Sequence, residues 1–343
     1  MVSRWSLPVL APLAHGGPDG AALARFDFST NASAAGPLPT VAAAVAAADR
    51  TRYPDPAYRA VREHLAAWHD ASPERIVIAG SASEFIHRFT QLAARSRRVR
   101  RAVVPCPGYG EYAAAAQAAG IEVVEHGAER PRAPAADDLW WITEPSSPCG
   151  ATPGDGLATS IEQAQAAEAL LALDLAYQPL RLDARALPAL AARAWRLWSP
   201  NKSCGLPGVR AAYAIAPAGA EPVVRALQSG APSWVAGVEG VAMLRAFASD
   251  AAQAELAAQR KLLHAWRDRL AAGLRAAGWQ PREAASVTPF FVARPPPGFC
   301  AAALRRDGVQ LRDTASMGLP GWMRLAAQPP QAIDALLGAL GSR

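Results

Sequence analysis

Only two lysines, Lys202 and Lys261, occur among the 35 basic residues of this chain. Lysine is the side chain that condenses with an aldehyde to a Schiff base, so its scarcity narrows the search. Lys261 stands in Gln259-Arg260-Lys261-Leu262-Leu263, inside a long helical pattern with other charges beside it, and reads as part of a solvated helix face. Lys202 stands in Ser199-Pro200-Asn201-Lys202-Ser203-Cys204-Gly205-Leu206-Pro207-Gly208-Val209-Arg210. That stretch follows a short apolar strand pattern, is rich in small and hydroxylated residues, and closes on an arginine. A lysine at a strand exit can meet an aldehyde, while the hydroxyls and the guanidinium can hold a phosphate. A plain surface loop is the alternative for the segment taken alone. A second anion-binding candidate is Gly80-Ser81-Ala82-Ser83-Glu84, where an apolar run gives way to a helical pattern. The unpaired N–H groups and positive end of a helix start favour phosphate.

The elements that would position these residues follow from periodicity. Apolar runs at Arg75–Ala79, Arg101–Pro105, Ile121–Glu125, Leu139–Thr143, Leu171–Leu173, Ala194–Trp198 and Arg210–Ala216 read as strands. Helical patterns over 57–70, 81–92, 112–120 and 161–170 stand between several of them. Strands alternating with helices predict a mostly parallel sheet covered on both faces. From Val238 to Gly278 the pattern is helical without an internal turn signal, and the remainder reads as a small α+β unit with a Pro-rich turn at Pro295-Pro296-Pro297. The length of 343 residues suits roughly two domains, with expected divisions at 1–40, 41–236 and 237–343.

Composition excludes several classes. Hydrophobic residues make up 51% and charged residues 19%, enough for a core and too apolar for wholesale disorder. The four cysteines lack metal-site or redox-pair spacing, so no metal and a reducing, cytoplasmic setting are expected. No apolar run reaches the ~18 residues of a membrane span, and Pro8 and Pro12 interrupt the one stretch, Met1 to Ala14, that mimics a signal peptide. The net charge of +6 suits an anionic substrate. The basic cluster Arg95, Arg97, Arg98, Arg100 and Arg101 stands at a helix end with no helix-turn-helix pattern or aromatic platform, so nucleic acid is not an expected partner.

Several segments, in order along nearly the whole chain, resemble pyridoxal-phosphate enzymes of the aspartate-aminotransferase fold, on the histidinol-phosphate aminotransferase branch. The resemblance implies a three-layer α/β/α large domain with a mostly parallel sheet, plus a small α+β C-terminal domain. It implies pyridoxal 5'-phosphate as cofactor, bound as a Schiff base to Lys202. Asp174-Leu175-Ala176-Tyr177 matches the family's Asp-x-Ala-Tyr, 28 residues before that lysine. The match puts Asp174 on the protonated ring nitrogen, which keeps the ring an electron sink, and Tyr177 on the phenolic oxygen. Tyr109, in Pro105-Cys106-Pro107-Gly108-Tyr109, would lie against the ring. Ala82, Ser83, Ser199 and Arg210 would bind the phosphate, and Tyr53 in Tyr53-Pro54 would reach the partner subunit's site in a homodimer. Arg324, in Trp322-Met323-Arg324-Leu325, matches the arginine that clamps a substrate carboxylate, with Arg312 as a second candidate and Asn31 in the segment that lines substrate.

The chain departs from the family in two places. Glu144-Pro145-Ser146-Ser147-Pro148-Cys149-Gly150 stands where the family has Asn-Pro-x-Asn-Pro-Thr-Gly, so Ser147 replaces the asparagine that bonds the phenolic oxygen, with a shorter reach. Asn201 stands before the lysine, where Ser or Thr is usual. The opening His15-Gly16-Gly17, followed by Asp27-Phe28-Ser29-Thr30-Asn31, resembles L-threonine-O-3-phosphate decarboxylases of cobalamin synthesis and places His15 and Gly16 near substrate. The expectation is therefore decarboxylation of a small phosphorylated amino acid. Transamination on the same scaffold is the alternative, and a degenerate domain without turnover is a third.

Overall fold

The computed structural model describes residues 16–341, apart from 19, 97, 155 and 184. His15 and the stretch Met1 to Ala14 lie outside the described residues. In chain order the first part comprises β1 (Phe26–Asp27), α1 (Pro39–Ala46), α2 (Arg59–Trp68), β2 (Ile76–Ala79), α3 (Ala82–Arg95), β3 (Arg101–Pro105), α4 (Glu111–Ala119) and β4 (Glu122–His126). Next come β5 (Asp138–Thr143), α5 (Gly156–Ala166), β6 (Leu170–Asp174), β7 (Trp195–Trp198), β8 (Ala212–Ile215), α6 (Glu221–Ser229), α7 (Val238–Phe247) and α8 (Asp250–Ala276). The last part comprises β9 (Gln280–Pro281), β10 (Phe290–Arg294), α9 (Ala301–Arg306), β11 (Val309–Gln310), β12 (Arg312–Asp313), β13 (Met323–Ala326) and α10 (Pro330–Gly341).

Seven strands form one sheet in the order β2-β8-β7-β6-β5-β3-β4. Only β8 runs against its neighbours; β7, β6, β5, β3 and β4 are parallel. Alternate residues face opposite sides of such strands. Trp141, Trp195, Leu197 and Val77 join the side chains of α3, α4 and α6 on one face. Trp140 and Leu171 join α5 on the other, where Ile76, Ile78 and Tyr213 meet α2 and α7. Both faces are thus dry, as the parallel sheet requires. On the first face, Phe89 lies 4.8 Å from Trp195, and Tyr112 stacks on Trp141 at 4.9 Å.

A second, antiparallel sheet of order β12-β13-β10-β9 packs with α8 and α10 through Leu270, Leu274, Phe291, Leu325 and Leu336. The N-terminal segment joins this unit: β1 pairs with β11, and Phe28 is wholly buried in the same cluster.

The structure corrects some expected boundaries. The stretch Val238 to Gly278 is two helices rather than one, broken at Ala248-Ser249. Ser249 caps the second helix by accepting the Ala252 N–H at 3.4 Å, an N-cap signal masked by the surrounding alanines. The helix expected at 161–170 runs instead from Gly156 to Ala166, because Leu170 already starts β6. Helices α1 and α6 stand where the sequence reading had none. Arg98 and Arg101 of the basic cluster pair with Glu168 and with Asp137 and Asp138. Among the described residues no helix is long and apolar enough to cross a membrane.

Candidate active site

The carboxyl ends of parallel strands are where a sheet of this kind presents its site. Thr143 closes β5, Asp174 closes β6 directly beside it, and Lys202 follows the end of β7 by four residues. These ends open into a cleft of about 360 Å³ that also takes in Ala82, Ser83, Tyr109, Tyr177 and Arg210 from the same sheet's loops. Gly16 and Asn31 enter it from the N-terminal segment, Ser147 from the β5 exit, and Arg312 and Arg324 from the second sheet.

Asp174 forms the floor. It is 3% exposed, and its carboxylate accepts from the Tyr112 hydroxyl at 2.7 Å and from the Ala176 N–H at 3.0 Å. Burial raises its pKa, while Tyr112, Ala176 and the Lys202 ammonium oppose that rise. Tyr112 also shares a hydrogen bond with Thr143 at 2.9 Å, so the carboxylate is held on two sides. Tyr109 meets Tyr112 edge-on at 5.7 Å, and burial pushes its phenol well above the ordinary range.

Lys202 lies 5.6 Å above the Tyr177 ring. Its own carbonyl accepts the Ser33 and Gly205 N–H groups at 2.8 and 3.2 Å, which fixes the loop that carries it. The Tyr177 hydroxyl accepts from Asn31 at 3.2 Å, while the buried Asn31 side-chain oxygen has no partner among the described residues. Ser81 caps α3 by accepting the Glu84 N–H at 3.0 Å, and the Glu84 carboxylate accepts the N–H of Gly80, one residue before the cap, at 3.1 Å. The Ala82 and Ser83 N–H groups have no partner within the helix. Gly80 is required there, because a Cβ would stand 2.6 Å from the Val235 carbonyl oxygen.

Arg324 is 6% exposed and faces Arg312 across the β12–β13 ladder. It donates to the Ser29 carbonyl at 2.7 Å and to the Ser147 hydroxyl at 3.3 Å, and its Nε has no partner among the described residues. Arg312 donates to Ser316 at 3.0 Å. Burial and the neighbouring Arg312 disfavour the charge on Arg324, while Tyr177 and Asp27 support it. Two adjacent guanidiniums suit a substrate with two anionic groups.

Two of the expected residues, Ser199 and Tyr53, do not line this chain's own cleft; Tyr53 was expected at the partner subunit's site rather than here. Ser199 is buried behind the wall and donates to Asn201 at 3.1 Å, and it is Asn201 that lines the cleft. Tyr53 is 76% exposed, outside its own chain's cleft, stacked on Trp234 at 4.2 Å. The sequence reading missed three features. One is the Tyr112–Thr143 support under Asp174. A second is the Asp27 carboxylate, which accepts from the Ser29 N–H at 2.7 Å and from the Thr30 hydroxyl at 2.8 Å. The third is Glu111, paired with His87 at 2.9 Å and lining the cleft. Tyr112 sits only three residues beyond Tyr109, at the start of a helix after a strand, which was signal enough to consider it.

These residues fit pyridoxal phosphate. A buried carboxylate with two neutral donors has room for the cation of a protonated ring nitrogen. A helix start with Arg210 suits the phosphate, and Lys202 lines the same cleft.

Comparison with known proteins agrees. The aminotransferase class I and II family matches residues 25–340. The histidinol-phosphate aminotransferase of Rubrobacter xylanophilus is 27% identical over 336 residues, 92% of this chain and 91% of that one. Two solved structures share the fold at lower identity. The histidinol-phosphate aminotransferase of Sinorhizobium meliloti in complex with pyridoxal-5'-phosphate has a TM-score of 0.72 at 22% identity, covering 91% of this chain and 89% of its own. The L-threonine-O-3-phosphate decarboxylase of Porphyromonas gingivalis has a TM-score of 0.76 at 18% identity, covering 92% and 98%. With its aspartate-aminotransferase-like sheet, the chain belongs to the class I and II aminotransferase family and takes pyridoxal phosphate as its cofactor.

Proposed function

We propose that the chain decarboxylates L-threonine O-3-phosphate to (R)-1-amino-2-propanol O-2-phosphate. The observation that carries this reading is the seat of the Gly16-Gly17 pair. The Gly17 N–H donates to the Ser29 hydroxyl at 2.8 Å. A Cβ on Gly16 would stand 2.2 Å from the Ser29 carbonyl oxygen and 3.0 Å from Nη2 of Arg324. The segment by which the sequence resembles the decarboxylases is therefore packed on the arginine that would hold substrate.

The cofactor, when bound, supplies an aldehyde for the substrate amine and a ring that draws electrons from Cα. Lys202 anchors it. Ala82, Ser83 and Arg210 hold its phosphate, and Asp174 keeps the ring nitrogen protonated. Arg324 and Arg312 grip the two anionic groups of the substrate and so select which bond at Cα is cleaved. With the cofactor and substrate bound, Lys202 would return a proton to Cα once carbon dioxide has left. We place Tyr53 at the cleft of a second subunit in a homodimer, in keeping with its exposure.

Transamination of a phosphorylated amino acid is the second reading, favoured by the nearly full-length likeness to a histidinol-phosphate aminotransferase. The holoenzyme given O-phospho-L-threonine should release carbon dioxide. If none appears and 2-oxoglutarate becomes glutamate with an amino donor such as histidinol phosphate, transamination replaces the proposal. If neither reaction occurs with cofactor bound, the domain is degenerate.

A further inference from the structure

Four non-glycine residues among the described ones adopt a left-handed backbone: Tyr58, Asp70, Glu168 and Trp234. Asp70 and Glu168 stand just past the ends of α2 and α5, where a left-handed residue is a common helix stop. Tyr58 and Trp234 are different. Each is a bulky aromatic residue, at φ +52° and +51°, in the segment that leads into a helix, α2 and α7 respectively. A large side chain at such a φ is strained and persists only where its surroundings hold it.

Here the two segments hold each other. The buried Tyr58 hydroxyl donates to the Ala236 carbonyl at 2.9 Å and accepts the Ala236 N–H at 3.0 Å. The Trp234 indole N–H donates to the Pro54 carbonyl at 3.1 Å, and its ring lies 20° from the plane of the Tyr53 ring. Segments 53–58 and 234–236 are thus sewn together at both ends. The first is stiff in itself. Pro54 and Pro56 fix two φ angles, and the Asp55 carboxylate accepts the Ala57 and Arg59 N–H groups at 3.1 and 3.0 Å. The second has a firm base, because the Val235 carbonyl lies against Gly80 in the turn before α3. Tyr53 is left at the exposed tip, and Trp234, itself 41% exposed, is not held in its strained turn by core packing.

We propose that Trp234 and Tyr58 are positioning residues that aim Tyr53 at the cofactor of the partner subunit. This rests on the placement of Tyr53 given above. Trp234 grips the tip of the strap through its ring and its N–H, and Tyr58 ties the base. Neither lines this chain's own cleft, so both act through Tyr53.

The test is a double-mutant cycle on cofactor affinity. The holoenzyme is taken through equilibrium dialysis, and its visible band reports the cofactor retained. Tyr53→Phe should weaken binding by about tenfold, the scale of a lost hydrogen bond to an anionic group. Trp234→Gly should weaken it by a similar factor. Glycine adopts a positive φ without strain, so this variant removes the ring and keeps the turn. Trp234→Phe, which restores a ring to the stack, should recover most of that loss, and Tyr58→Phe should weaken binding by a smaller factor. Tyr53→Phe combined with Trp234→Gly should bind no more weakly than the weaker single variant, because both act through one side chain. Light scattering checks that each variant is a dimer, and if Trp234→Gly does not assemble, the same cycle is run with Tyr58→Phe. If Tyr53→Phe is without effect, the placement of Tyr53 falls and the proposal with it. If Tyr53→Phe weakens binding while Trp234→Gly and Tyr58→Phe do not, or if the effects add in full, the proposal is overturned and the placement of Tyr53 stands.

Discussion

Replacing Tyr112 by phenylalanine removes one oxygen and leaves the ring, so it isolates the support under Asp174. The lost hydroxyl stands 2.7 Å from a carboxylate, and both residues are buried. A hydrogen bond to a charged group is worth about 1.5–3 kcal/mol, and one pKa unit corresponds to about 1.4 kcal/mol. Asp174 therefore becomes more basic in the variant, because the hydrogen bond that holds its carboxylate ionised is lost. The direction matters because this carboxylate must leave the proton on the ring nitrogen; a more basic carboxylate pulls it back and weakens the electron sink. Turnover should fall by about tenfold to a hundredfold, while KM stays near the parent value, since Arg312 and Arg324 are untouched. Packing should survive, because the Tyr112 ring stacks on Trp141 at 4.9 Å without needing the hydroxyl. The assays are steady-state kinetics with the preferred substrate and a pH titration of the cofactor's visible band. Unchanged turnover together with an unchanged titration would refute the reasoning, and a collapsed fold would show as a lost thermal transition.

Borohydride reduction of the holoenzyme should attach the cofactor to the peptide containing Lys202, and Lys202→Ala should abolish turnover while Lys261→Ala leaves it intact; a label on Lys261 would contradict the assignment. Gly16→Ala forces a Cβ to within 2.2 Å of the Ser29 carbonyl oxygen, which accepts from Arg324, so KM for an anionic substrate should rise by about tenfold with a small change in melting temperature. His69 is held neutral by burial, with its pKa lowered to about 4 from an ordinary 6.5. The unfolded chain then binds the extra proton first, so stability is complete above pH 6.5 and falls as pH drops toward 4, by up to about 3 kcal/mol. Denaturant melts across that range should show this slope, and His69→Gln should flatten it; an equal slope in the variant would remove His69 as its source.

Lys202 was visible from its type and its place after a strand, whereas Asp174 and Arg324 came from the likeness of two short stretches, Asp174-Leu175-Ala176-Tyr177 and Trp322-Met323-Arg324-Leu325, to the family. The support under Asp174 was hidden for the opposite reason. Tyr112, Thr143 and Asp174 come from three elements, and only the register that sets Thr143 beside Asp174 unites them. Ser199, which the resemblance places at the phosphate, donates its hydroxyl to Asn201, a contact that the order of residues alone does not give. Alanine-rich composition blurred boundaries as well. It hid the break at Ser249 and left α1 and α6 without a distinctive periodic signal.

Residues 16–30 and the second sheet are fastened together. Gln328, just after β13, donates to the Asp27 carbonyl at 2.8 Å, and Arg324 of β13 donates to the Ser29 carbonyl at 2.7 Å. Any force applied to that early segment, by a fusion partner, an affinity tag or a trimmed start, is transmitted straight to the guanidinium facing the substrate. Kinetic comparisons among differently tagged preparations will thus report on recognition as much as on folding.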